Sequence, residues 1–129
     1  MRTLIVGGPK TGKTTRSEAL AQETGIPAWH ADSLIDTHAW SEASQAVADS
    51  FDSPGPWIIE GVSVPRAIRK WLAAHPEGKP ADKILVRTQP HVDLSPGQRT
   101  MTKGVWTVWN EVLPELYRRG VTIELDGEK

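Results

Sequence analysis

Five short apolar runs recur along the chain, separated by stretches whose apolar residues return at helical spacing. The runs are Thr3-Leu4-Ile5-Val6, Ile26-Pro27-Ala28-Trp29-His30, Trp57-Ile58-Ile59-Glu60, Lys83-Ile84-Leu85-Val86 and Val121-Thr122-Ile123-Glu124-Leu125. Runs this short and this continuously apolar predict strands buried on both faces. Residues 13–23 lack Gly and Pro and hold good helix formers, and Gly25 is a natural stop behind them. Residues 32–51 place Trp40, Ala43, Val47 and Phe51 at helical spacing, which predicts a helix starting near a Ser41 cap. Ser63 is a candidate cap for a third helix, with Pro65 in its first turn and Val64, Ile68, Trp71 and Leu72 on its apolar face. Arg66, Arg69 and Lys70 face elsewhere. From about Gln98 to Arg119 a fourth helix carries Met101, Val105, Val108, Val112 and Leu116 on one stripe. Pro114 is expected to kink or split it, and Gly120 to end it, with Arg118 and Arg119 as partners of the helix dipole.

Strand and helix in alternation predict one α/β domain over residues 1–129, with a parallel sheet and right-handed crossovers. Ligands in such sheets sit at the carboxyl ends of the strands. The residues that follow each strand are therefore the ones to inspect.

After the first strand comes Gly7-Gly8-Pro9-Lys10-Thr11-Gly12-Lys13-Thr14, followed by Thr15, a full match to G-x-x-x-x-G-K-[ST]. Strand, glycine-rich loop and helix stand in the order that polyphosphate binding requires. Gly7 and Gly12 allow the backbone to wrap closely, its N–H groups turn inward, and the helix N-terminus adds partial positive charge. Lys13 would meet the β/γ oxygens of ATP, and the Thr14 hydroxyl would ligate Mg²⁺. Lys10 adds a charge within the loop.

Composition narrows the picture. A net charge of −1 with no basic stripe argues against general attraction to nucleic acid or anionic membrane. With no cysteine, disulfides, zinc–thiolate sites and thiol catalysis are excluded. No apolar run approaches the ~20 residues of a membrane span, and Met1-Arg2 lead at once into a strand. A cytoplasmic protein without a signal peptide is the expectation. Six tryptophans against one Phe and one Tyr make the tryptophans the large core fillers.

The chain resembles the small P-loop kinases of the adenylate kinase and shikimate kinase group over nearly its whole length. The resemblance is carried by the loop from Val6 to Thr15, by Trp29-His30-Ala31-Asp32-Ser33-Leu34 after the second strand, and by Ile58-Ile59-Glu60-Gly61 leading into Pro65-Arg66. It implies a three-layer α/β/α fold whose five strands take the spatial order 2-3-1-4-5. It also implies transfer of the ATP γ-phosphoryl group to a small metabolite, with a nucleotide or nucleoside the best guess. In that reading Glu60 and Thr14 hold Mg²⁺, with Asp32 as a further metal-side candidate. Asp32 would contact the acceptor and could take its hydroxyl proton, or else cap the following helix; Asp36 faces solvent. His30 reads as a half-buried strand-end histidine. A short lid over residues 88–104 would bring Arg99 first and Lys103 second to the moving phosphoryl group, the two sharing a helix face. Arg66 and Arg87 are candidate acceptor or phosphate contacts. The alternative is a nucleotide-binding switch or assembly ATPase that acts through a protein partner. No Asn-Lys-x-Asp string supports a GTPase. An exposed Trp106–Trp109 face would be one way to build a homo-oligomer.

Overall fold

Strand parity organises the molecule. The computed structural model describes residues 1–31, 40–90 and 92–126, the side chains of residues 40 and 41 excepted. The expectations for Asp32 and Asp36 fall outside these residues. Five parallel strands, β1 (Arg2–Gly7), β2 (Ala28–His30), β3 (Trp57–Glu60), β4 (Lys83–Arg87) and β5 (Thr122–Leu125), form one sheet in the order β2-β3-β1-β4-β5. That is the order the resemblance implied. Because successive side chains in a strand point to opposite faces, each strand feeds two cores. Leu4, Val6, Trp57, Ile59, Ile84 and Val86 join the larger one, with Val47 of α2 (Trp40–Ser50), Ile68 and Trp71 of α3 (Val64–Ala74), and Trp109 and Leu116 of α4 (Pro96–Arg118). Ile5, Ile58 and Leu85 face the other way and pack on Leu20 and Ala21 of α1 (Lys13–Thr24). The sheet is thus sandwiched between α1 and the three later helices.

Local chemistry fixes the helix ends. Gly12 and Gly25 flank α1 at φ 82° and 72°, and the Gly25 N–H closes the last turn on the Ala21 carbonyl. Ser95 caps α4 in a reciprocal pair, its hydroxyl accepting from Gln98 N–H while the Gln98 side chain accepts from Ser95 N–H. The helix therefore starts at Pro96, earlier than its apolar stripe suggests.

Four expectations are corrected. The helix α2 already includes Trp40, so Ser41 lies inside it instead of capping it. Ser63 does occupy the cap position of α3, but its hydroxyl makes no cap bond and is buried without a partner among the described residues. Of the kink or split expected at Pro114, the split is not found, since α4 runs on to Arg118. Both Pro114 and Asn110, one turn before it, are exposed, so water can serve the carbonyl that proline leaves unbonded. The tryptophans divide: Trp57, Trp71 and Trp109 are core, Trp106 packs against it, and Trp29 is 62% exposed. With Trp109 buried, the exposed Trp106–Trp109 face is not formed. At the end of α4, Arg118 and Arg119 both bind Glu115, and Arg119 also reaches the carbonyls of His75 and Gly78. The Arg118 and Arg119 guanidinium groups hold the Glu115 carboxyl down at about 2.

Candidate functional site

The same parity builds the site. Counting on by two along the α1 face, Ala28 leads to His30, Ile58 to Glu60, and Leu85 to Arg87. These residues end their strands on either side of β1, from which the phosphate loop springs. Register sets them level, with His30 opposite Glu60 and Gly7 opposite Arg87.

The loop is closely determined. A Cβ on Gly7 would stand 2.6 Å from Thr11 Oγ1 and 2.8 Å from the Arg87 carbonyl, so only glycine fits there. The Gly8 carbonyl accepts from Thr11 Oγ1 at 2.9 Å and from Lys13 Nζ at 2.7 Å. Lys13 is buried with its ammonium curled onto the loop. Lys10 holds φ 63°, the left-handed region, and is exposed. Gly12 gives α1 no capping side chain, which leaves its first-turn N–H groups to an external acceptor. Thr102 of α4 closes over Gly8, where an added Cβ would be 3.0 Å from its hydroxyl.

Glu60 is 1% exposed at the end of β3. Its Oε2 accepts from Thr14 Oγ1 at 3.0 Å and lies 2.7 Å from His30 Nδ1. A carboxylate oxygen accepts, so the ring proton belongs on Nδ1. The second oxygen, Oε1, is buried and has no hydrogen-bond partner among the described residues. A buried carboxylate oxygen left unpaired is costly. Beside a threonine hydroxyl at a phosphate loop, it suits a hard cation that takes its remaining oxygens from phosphate and water. Thr14 and Glu60 thus fit Mg²⁺. Among the described residues there is no cluster of three His, Cys, Asp or Glu that would hold a metal by themselves.

The predicted cations separate. Arg87 sends Nε to the Thr11 carbonyl at 2.7 Å and Nη1 to Asp126 Oδ2 at 2.5 Å, so it serves the loop backbone. Arg66 lies against α4, its Nη2 3.7 Å from where a Gly104 Cβ would be. Arg99 is exposed in the first turn of α4, beside a shallow hollow with Pro90, Val92, Asp93 and Leu94. Lys103 is exposed one turn on. His30, a little over a third exposed at its side chain, is the strand-end histidine expected, and its direct contact with Glu60 is new. The sequence reading missed Asp126, which also takes Arg16 Nε at 3.0 Å. Its signal was available in the parity of Glu124 and Asp126 at the end of β5. A separate apolar cavity of about 520 Å³ lies beside Trp29, Ala31, Val47 and Ile59, on the opposite face of the sheet from α1.

The fold and site define an α/β protein with a glycine-rich loop between β1 and α1, and a solved structure agrees at the level of fold. A gluconokinase from Sinorhizobium meliloti 1021 superposes with a TM-score of 0.50 at 14% identity, over 92% of this chain and 97% of that one. A protein from Eubacterium ventriosum ATCC 27560, described as uncharacterized, aligns at TM-score 0.42 and 13% identity, over 94% and 74%. No family model and no curated protein matches the sequence. The chain shares its α/β fold with the first of these. Among the described residues no helix is long and apolar enough to cross a membrane.

Proposed function

We propose that this chain is a compact, Mg²⁺-dependent kinase that transfers the γ-phosphoryl group of ATP to a small metabolite, with a nucleotide or nucleoside the best guess. The observation that carries the reading is the pairing of Thr14 with a buried Glu60 whose second oxygen is unsatisfied, directly beside the phosphate loop. In this reading the loop N–H groups and Lys13 bind the triphosphate, and Lys13 leaves the Gly8 carbonyl to do so. Thr14 and Glu60 hold Mg²⁺, which when bound neutralises charge on the phosphates. Asp32 positions the acceptor or takes its proton, and Arg99 and Lys103 approach from the first turns of α4. Like the superposed gluconokinase, the protein would then phosphorylate a small molecule. The test is incubation with Mg·ATP and pooled nucleosides, nucleoside monophosphates and hydroxy-metabolites, with products read by mass spectrometry. A phosphorylated product that is absent with Lys13→Ala supports the reading. ADP without any such product counts against it.

The second reading is a nucleotide-dependent switch acting through a protein partner. It is favoured by Trp29, 62% exposed beside an apolar cavity. Hydrolysis that depends on protein concentration, with no acceptor, would support it.

A further inference from the structure

Three charged side chains from three elements meet beneath the phosphate loop. Asp126, just past β5, takes Arg16 Nε of α1 at 3.0 Å and Arg87 Nη1 of β4 at 2.5 Å, and Arg87 Nε reaches the Thr11 carbonyl at 2.7 Å. The Arg87 and Asp126 side chains are only 11% and 13% exposed. The Asp126 N–H also donates to the Val86 carbonyl at 2.8 Å, which continues the strand pairing and fixes where the carboxylate stands.

We propose that Asp126 is a positioning residue for bound polyphosphate, acting through Arg87 to hold the Thr11 carbonyl outward. The inference rests on the nucleotide-binding part of the function proposed above. Its physical basis is the planar trans peptide, in which C=O and N–H point in opposite directions. Fixing the Thr11 carbonyl on Arg87 therefore directs the Gly12 N–H to the side away from Arg87. An anion-binding loop requires this arrangement, with carbonyls outward and N–H groups inward. Lys10, one residue earlier, sits in a left-handed conformation unfavourable to a side-chain-bearing residue. Such a conformation persists only where its surroundings over-determine it. The guanidinium on the neighbouring carbonyl contributes to that. Since Asp126 neutralises Arg87, the arginine acts here by geometry and not as a free charge attracting phosphate.

Asp126→Asn separates these two roles. It leaves Arg16 and Arg87 with more uncompensated positive charge, so an attractive role predicts tighter anion binding and a positioning role predicts weaker. The probes are Mg·ATP and inorganic triphosphate, titrated into the full chain by calorimetry at fixed salt. Asp126→Asn is expected to weaken both by about tenfold, as is Arg87→Lys, which keeps the charge but loses the fork. The double variant should be no weaker than Arg87→Lys alone. As a control for stability, Glu115→Gln breaks ion pairs at the far end of α4 and should leave both affinities within about twofold. Unchanged or tighter binding by Asp126→Asn overturns the proposal. If that variant fails to unfold cooperatively, Arg87→Lys decides, and unchanged affinity overturns it. Wild-type protein that binds neither probe overturns the nucleotide reading as well, whereas normal wild-type binding with an indifferent Asp126→Asn overturns this inference alone.

Discussion

The Thr14 hydroxyl donates to Glu60 Oε2 at 3.0 Å, joining the first turn of α1 to the end of β3. The bond exists because β3 lies beside β1 and because Glu60 shares the face of Ile58, the face on which α1 packs.

Replacing Glu60 with Gln tests the cation assignment. The amide keeps the size of the side chain but removes the charge. Nucleotide affinity measured with Mg²⁺ should fall about tenfold or more, while affinity in the presence of a chelator holds within about twofold. Equal losses under both conditions would assign Glu60 to packing alone.

Lys13→Ala removes the ammonium that now rests on the Gly8 carbonyl. Turnover should drop by at least about 100-fold, the scale of losing one charged donor at a transferring group. Residual activity near wild type would disprove the assigned role of the loop.

Gly7→Ala places a Cβ 2.6 Å from Thr11 Oγ1 and 2.8 Å from a backbone carbonyl. The carbonyl cannot rotate away as a side chain would. Stability should fall by about 1–3 kcal/mol, the usual cost of overpacking, and triphosphate affinity should fall with it. Urea unfolding monitored by tryptophan fluorescence measures the first effect. A variant as stable as wild type would mean that the loop has room the structure does not show.

Asp82 accepts from the Arg2 N–H at 2.8 Å, and this bond, followed by the nearby Arg2 charge, holds its carboxyl below the usual value despite some desolvation. A lowered folded-state pKa stabilises the protein above the unfolded value, and the benefit is lost as pH falls through the folded value. Asp82→Asn should therefore cost stability at neutral pH, by under about 1 kcal/mol because the side chain is half-exposed and screened. The difference from wild type should shrink below about pH 4. A gap that widens in acid would reverse the assignment.

Much of this fold is legible in the sequence for a simple reason. Parallel strands covered on both faces are continuous apolar runs, and Trp57-Ile58-Ile59 or Ile84-Leu85-Val86 permit no other comfortable placement. The phosphate loop is equally plain, since glycine spacing, Lys13 and Thr14 are local in sequence. Glu60 was found because a strand end is a position that can be counted. The start of α4 is not marked by its apolar stripe, which begins at Met101, but by the capping-box spacing of Ser95 and Gln98. The parity of Glu124 and Asp126 marks Asp126 as a strand-end residue, but its bonds to Arg16 and Arg87 join positions far apart in sequence. Each is an ordinary charged residue until sheet order brings β5 beside β4 and α1 beneath them. Among the expectations, those for Asp32 fall outside the described residues, and those for Arg99 and Lys103 depend on an approach to the loop by α4, whose Thr102 stands against Gly8.

The central place of β1 bears on synthesis. Of the five strands of the sheet, β1 is made first, and it pairs with residues 57–60 on one side and 83–87 on the other. Until both have been translated, the glycine-rich segment lacks one or both of its walls, Arg87 is missing from the Thr11 carbonyl, and before residue 60 is made the Thr14 hydroxyl has no Glu60 to meet. In the proposed function, bound nucleotide would therefore stabilise only a chain that already holds residues 57–60 and 83–87, and a loop early in the sequence takes its shape only once distant strands have arrived.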